Sequence, residues 1–257
     1  MNYLDIIKVS CCGANELLNK QEIVSFLKAN PRAEIGIGVS KEKSSKGSPR
    51  FNWILELFEI MKNSSLTDER IALHVNAGWS AEVGVKGNLP NDLAELISYA
   101  PGKMRIQINL VGSGYGNNAL NPNNLIELIE KQSGKNRFIV PYNLVNSKFV
   151  KDLYSQTKNF DVLYDSSFGY GVMAKDYQSI FKNIPQGYAG GLSADNIFGE
   201  LQKINSVQNS KSTVWIDAEG RLRKNDCNTL DLNKAQQFIK NILYWEKTNA
   251  AEFERMP

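Results

Sequence analysis

Short apolar runs separated by amphipathic stretches recur along the whole chain. Runs with strand character cover Asp5–Cys12, Ala33–Ser40, Arg70–Val75, Lys103–Val111, Arg137–Tyr142, Phe160–Asp165, Gly187–Gly191 and Thr213–Asp217. Each is followed by a segment able to form a helix. The clearest follows Asp231, which suits the N-cap of a run placing Ala235, Phe238, Ile239, Ile242 and Leu243 on one face. A helix opened by Ser193 is expected to bury Ile197, Leu201 and Ile204 in the same way. Asn121-Pro122 opens another, with proline in its first turn. Asn15–Lys28 and Phe51–Lys62 have the same character.

Regular alternation of strand and helix predicts a parallel sheet. The run Lys103–Val111 narrows the choice. Met104, Ile106, Ile108 and Leu110 share one face; Arg105, Gln107 and Asn109 share the other. A strand with an apolar face toward helices and a polar face toward an interior belongs to a closed barrel better than to an open sheet. Eight such units in 257 residues match the usual size, about 250 residues, of a (β/α)8 (TIM) barrel. The expected architecture is therefore one α/β domain over residues 1–257, with loop insertions at 41–48 and 76–88.

Composition adds exclusions. Hydrophobic residues make up 42% and charged residues 22%, the balance of a soluble globular protein. No apolar run approaches the roughly 20 residues of a membrane span, and the start, MNYLDIIKVS, lacks the pattern of a signal peptide. Three cysteines, two of them adjacent, give no disulfide framework and point to the cytoplasm. A net charge of +3 without a basic block gives no ground for nucleic acid as a partner. His74 is the only histidine, so a multi-histidine metal site is excluded.

In a (β/α)8 barrel, active sites lie at the carboxyl ends of the strands. That rule selects Cys11/Cys12, the loop holding Arg50, His74, Asn109, Asp165, Gly190-Gly191 and Asp217–Gly220. Strand side chains alternate between faces, which separates Ile7, Val9 and Cys11 from Lys8, Ser10 and Cys12. The polar set belongs inside, so Cys12 is the expected interior cysteine, with Cys11 taking its place if a bulge shifts the register. The stretch GYAGGLSADNI, 187–197, puts two glycines before a helix mouth, a place suited to an anion.

At this level of detail the chain resembles the phosphoribosylanthranilate isomerase family. Ser10-Cys11-Cys12-Gly13 stands where the family has K-I-C-G, Ser48-Pro49-Arg50 matches S-P-R, and Ala72-Leu73-His74-Val75 matches Q-L-H-G. Leu163-Tyr164-Asp165 with Gly169-Tyr170-Gly171 follows L-L-D and G-T-G. Ala189-Gly190-Gly191-Leu192 through Asn196 follows A-G-G-L-x-x-x-N, and Asp217-Ala218-Glu219-Gly220 stands at D-x-S-S-G.

The resemblance implies an Amadori rearrangement of a phosphoribosylated aromatic amine. Asp165 would be the general acid that opens the sugar ring, and Cys12 the general base that takes the proton from the second sugar carbon. The acid needs a raised pKa and the base a depressed one. The resemblance also implies that Arg50 meets the substrate's aromatic carboxylate, that Asp217 either contacts the substrate amine or fixes the last loop, and that Gly190, Gly191 and Gly220 hold phosphate. His74 reads either as a substrate contact or as a hydrogen-bonded structural residue. No metal or cofactor is required. The implied partner is a small-molecule phosphosugar, with no membrane or nucleic acid, and the protein a monomer or homodimer. One departure stands out: where the family has paired serines, this chain has Ala218-Glu219. The rival readings are a related histidine-pathway phosphosugar isomerase, which uses two aspartates at strand ends, and a non-catalytic barrel that binds a ribosyl-phosphate or nucleotide-like ligand.

Overall fold

Each of the predicted apolar runs overlaps a strand, least at Gly187–Gly191, where only Gly187 and Tyr188 pair, and the strands join in chain order into a closed, all-parallel barrel. The structure is a computed structural model that describes residues 4–66, 69–110, 121–167, 169–179 and 181–253; the last residue of the run Lys103–Val111 lies outside them. Its strands are β1 (Leu4–Ala14), β2 (Ala33–Val39), β3 (Ile71–Val75), β4 (Met104–Ile108), β5 (Asn136–Tyr142), β6 (Phe160–Tyr164), β7 (Gln186–Tyr188) and β8 (Ser212–Ala218). The helices are α1 (Lys20–Ala29), α2 (Lys41–Ser44), α3 (Pro49–Asn63), α4 (Ala77–Lys86), α5 (Asn91–Ser98), α6 (Pro122–Gln132), α7 (Ser147–Gln156), α8 (Ile197–Ser206) and α9 (Leu232–Phe253). This is the (β/α)8 barrel expected from the sequence. Among the described residues no helix is long and apolar enough to cross a membrane.

Local chemistry accounts for the helix starts. Asp231 Oδ1 accepts from the backbone amides of Asn233 and Lys234 ahead of α9, the N-cap interaction that satisfies otherwise orphaned donors. Asn121 caps α6 and Ser48 caps α3, each with proline in the first turn. In α9, Ala235, Phe238, Ile239 and Ile242 are buried as predicted, whereas Leu243 is exposed and Trp245 is buried in its place. Leu243 lies about 100° around the helix from Ile242, beyond the edge of the stripe.

Other departures concern the connections. Residues 76–88, expected as an inserted loop, form α4, because Trp79, Ser80 and Val83 make a buried face and Gly87 closes the helix in the left-handed conformation, φ +67°. Within 41–48 only the single turn of α2 forms. The predicted helix after Ser193 begins later, at Ile197. Among the described residues between β6 and β7 there is no helix; aromatic side chains fill the sector instead. Tyr177 packs on Tyr164 and Tyr188, and Phe181 packs on Tyr142 and Tyr154.

The barrel interior is split between charge and hydrocarbon. In its amino-terminal half, buried Glu34 receives Lys8 Nζ at 3.4 Å, Ser10 Oγ at 2.6 Å and Arg105 at 3.1 Å. Arg105 also reaches Asp161 at 3.4 Å, and Arg137 bonds the same carboxylate at 2.7 Å. The Arg105 guanidinium lies 4.1 Å from the centre of the Trp215 ring. Trp215 in turn occupies the space that Gly187 leaves free: a Cβ there would come within 2.1 Å of the indole. Ile139, Leu163, Ala189 and Trp215 form an interior apolar cluster separate from the main core between strands and helices.

Candidate active site

Two irregularities in β1 decide which cysteine enters the barrel. The β1–β8 register skips Ile7, which is pushed outward and half exposed, and the β1–β2 register skips Gly13. Between these bulges the alternation runs undisturbed. Lys8, Ser10 and Cys12 therefore share the interior, and Cys11 joins the main core. Gly36 of β2 pairs with Cys12 and gives it room; a Cβ on Gly36 would stand 2.3 Å from Cys12 Sγ and 3.0 Å from His74 Nε2.

At the carboxyl ends of β1, β3 and β8, three fully or nearly buried groups converge. Cys12 Sγ donates to Asp217 Oδ2 at 3.3 Å and lies 3.7 Å from His74 Nε2. Burial lowers the His74 pKa, so the ring is neutral. Burial, followed by the neighbouring carboxylates, pushes the Cys12 thiol well above its ordinary value. The depressed cysteine expected from the sequence is therefore absent; Cys12 rests as a thiol, because both its burial and its charged neighbours disfavour the thiolate. Asp217 carries the unusual titration. Burial pushes its carboxyl up to about 8, the Cys12 hydrogen bond opposes this, and Glu219, Glu34 and Asp165 add to the rise.

These strand ends open into a cavity of about 390 Å³. His74, Asp165, Asp217, Gly190, Gly191 and Gly220 all line it, whereas Cys12, in contact with His74 and Asp217, does not. Asp165 is held by its own loop: Ser167 N and Oγ donate to Oδ1 at 2.9 and 2.6 Å, and Gly169 N donates to Oδ2 at 2.9 Å. Gly190 and Gly191 both have positive φ, +108° and +62°, as the two-glycine motif suggests. The turn needs that freedom of space as well, since a Cβ on Gly191 would come within 2.8 Å of Gly171 O and Met173 N. Asn196 secures the turn from behind, donating to Gly191 O and accepting from Ser193 N, each at 2.8 Å. That tie explains why α8 starts after Asn196 rather than at Ser193.

Arg50 does not reach this cavity. Its guanidinium pairs with Glu16 and donates to Gly38 O at 3.0 Å. It lines an adjoining space of about 380 Å³, which shares Asn76, Glu219 and Arg223 with the first. Glu219, the residue standing in for a serine, forms an ion pair with Arg223 at this shared rim. Arg221 also lines the first cavity.

Asn109, selected by the strand-end rule, belongs to a row of amides with Gln107, its neighbour on the polar face of β4, and with Asn76, which the sequence did not single out. Gln107 donates to Asn109 at 2.8 Å, Asn109 to Asn76 at 2.7 Å, and Asn76 to the His74 carbonyl at 2.7 Å. The signal for the row was the polar face of β4, which already placed Gln107 and Asn109 on one side.

No family model and no curated protein matches the sequence. Solved structures do match. N-(5'-phosphoribosyl)anthranilate isomerase from Pyrococcus furiosus is 16% identical, with 93% of this chain and 99% of that one covered at a TM-score of 0.52. Phosphoribosyl anthranilate isomerase from Thermotoga maritima is 15% identical, with 92% and 98% covered at a TM-score of 0.53. A phosphoribosyl anthranilate isomerase in complex with reduced 1-(o-carboxyphenylamino)-1-deoxyribulose 5-phosphate is 14% identical, with 92% and 98% covered at a TM-score of 0.50. The chain is thus similar along nearly its whole length to phosphoribosylanthranilate isomerases, with which it shares the (β/α)8 fold.

Proposed function

We propose that the protein is an isomerase that carries out an Amadori rearrangement on a phosphoribosylated aromatic amine. The observation that carries this reading is the convergence of Asp165, Asp217 and a two-glycine turn on one cavity, with Cys12 hydrogen-bonded to Asp217. In this reading Asp165 protonates the ring oxygen as the bond from that oxygen to the first sugar carbon breaks, giving a protonated Schiff base. Loss of the proton on the second carbon then gives an enolamine. Its hydroxyl proton leaves and a proton is added at the first carbon, which completes the aminoketose with no net change in atoms.

The base in this scheme is the Cys12–Asp217 pair. Cys12 starts as a thiol, so Asp217 in its ionised form takes the thiol proton as the sulfur accepts the one from the second carbon. Asp217, titrating at about 8, exchanges a proton near neutral pH without a large penalty. Gly190, Gly191 and Gly220 receive the phosphate with backbone amides, and Arg223 offsets the charge of Glu219 beside them. Arg50 binds the aromatic carboxylate only after leaving Glu16.

Incubation with phosphoribosylanthranilate, followed by loss of the substrate's fluorescence, tests the reading. Cys12→Ala, Asp165→Asn and Asp217→Asn should each lower turnover by about 10²–10⁴-fold, the usual worth of a positioned acid or base. Absence of turnover in the wild-type protein would overturn it. A second reading has its own support: Asp165 and Asp217 both line the cavity while Cys12 does not, the two-aspartate arrangement of the related histidine-pathway isomerase. Turnover that survives Cys12→Ala but not Asp217→Asn would favour that alternative.

A further inference from the structure

We propose that Cys12, His74 and Asp217 form a three-ligand site for a soft divalent cation, Zn²⁺ above all, with the fourth coordination position facing the cavity. One donor atom from each residue lies within 4.8 Å of the others. Zinc binds sulfur at about 2.3 Å and nitrogen or oxygen at about 2.0–2.1 Å, so tetrahedral angles place neighbouring donors about 3.5 Å apart. The edges from Cys12 Sγ, 3.7 Å to His74 and 3.3 Å to Asp217, bracket that requirement.

The donor set selects the ion. A thiolate with an imidazole suits zinc and its soft neighbours, whereas Mg²⁺ and Ca²⁺ call for oxygen ligands. Thiolate and carboxylate together balance the two positive charges, and the imidazole binds as the neutral ring. The thiol proton, with any proton on the carboxyl, leaves to solvent as the ion enters, and nothing is oxidised or reduced. Room for the ion comes from Gly36, where a side chain would collide with both Cys12 and His74. Access comes from the cavity, which His74 and Asp217 line directly. Three protein ligands and one open position form the layout of a zinc site that exchanges ligands, rather than of a closed structural one.

Ion binding stands independently of the isomerase reading, but its consequence rests on that reading. An ion held here takes the sulfur electron pair that would remove the sugar proton, so Zn²⁺ is a reversible inhibitor of the proposed reaction.

The test uses the reduced, metal-free full chain titrated with Co²⁺, with Zn²⁺ as competitor. One ion per chain is expected, with a thiolate-to-cobalt charge-transfer band in the near ultraviolet and the intense visible bands of tetrahedral cobalt. Cys12→Ser should abolish the charge-transfer band, and His74→Gln or Asp217→Asn should weaken binding by about 100-fold. Cys227→Ser, which alters the half-buried cysteine away from the site, should change nothing. Because the wild-type and Cys227→Ser spectra need no change at the site, the test survives a misfolded ligand variant. Absence of the charge-transfer band in the wild type, its persistence in folded Cys12→Ser, or its loss in Cys227→Ser would overturn the proposal. Turnover measured alongside separates the two ideas. A cobalt band without any phosphoribosylanthranilate turnover keeps the ion site and removes the isomerase; turnover untouched by excess Zn²⁺, with no band, does the reverse.

Discussion

The two ends of the barrel interior both bury carboxylates, and they treat them in opposite ways. In the amino-terminal half, burial alone would raise the Glu34 pKa, but Arg105, Lys8 and the Ser10 hydroxyl together bring it below the ordinary value. At the carboxyl ends, buried Asp217 meets a thiol and a neutral ring rather than a cation, and burial takes it up to about 8. The first region answers its own charge with charge; the second leaves a surplus of negative potential that a proton or an external cation must meet. Charge left unanswered in a cleft marks a working site, whereas a completed ion network marks a scaffold. The same fold thus places structural and chemical duties a few residues apart along the same strands.

The comparison breaks most severely at Arg105. Arg105→Met removes the cation shared by two interior carboxylates, leaving Glu34 with Lys8 and Asp161 with Arg137, and should cost about 3 kcal/mol, the low end of the usual result of breaking a buried ion pair. Urea unfolding measures it. Adding Glu34→Gln and Asp161→Asn to Arg105→Met should return most of the loss; if the single change costs under about 1 kcal/mol, the network does not compensate these charges.

Asp217→Asn probes the opposite end and is a matter of pH. A carboxyl near 8 in the folded chain and about 3.9 in the unfolded one keeps a proton on folding, so wild-type stability falls as pH rises through that window. An amide at this position carries no such linkage. The variant should therefore gain on wild type by about 1.4 kcal/mol per pH unit, roughly 2–3 kcal/mol between pH 5 and 7, with no further gain above about pH 8. A difference independent of pH would mean that Asp217 is ionised throughout.

The smallest effect is expected from Glu219→Gln. Its ion pair with Arg223 is part exposed, so stability should change by no more than about 1 kcal/mol. Because Glu219 helps raise Asp217, the pH at which the Asp217 linkage levels off should move down. An unmoved midpoint would leave the rise to burial, Glu34 and Asp165.

Much of this was legible in the sequence, for particular reasons. The two-faced run at Lys103–Val111 announced a closed barrel because strand alternation is a property of the backbone, and it put Arg105 and Gln107 inside in the same stroke. Cys12 followed from alternation too, because the bulge at Ile7 stands at the very start of the counted stretch and the one at Gly13 just after it. What stayed hidden depended on partners distant in the chain. Arg50 turns to Glu16 because of how α3 meets the β1 loop. Asp217 titrates as it does because β1, β3 and β8 bring their ends together. Residues 76–88 looked like a loop because glycine and alanine have no strong hydrophobic period, yet Trp79 and Val83 were enough to seat a helix.

The stretch between β6 and β7, without a helix among its described residues, gives the molecule a seam. Strand β7 has three residues and joins each neighbour through three paired positions, and aromatic rings rather than a helix cover the loop preceding it. Local opening is cheapest where regular packing is thinnest, so amide exchange should be fastest here, and the two-glycine turn is fastened to this segment. Whatever small anion settles on that turn would act as a rivet, closing the ring of strands at its weakest joint. In such a barrel, occupancy is reported by protection far down the β6–β7 junction, away from any group the ligand touches.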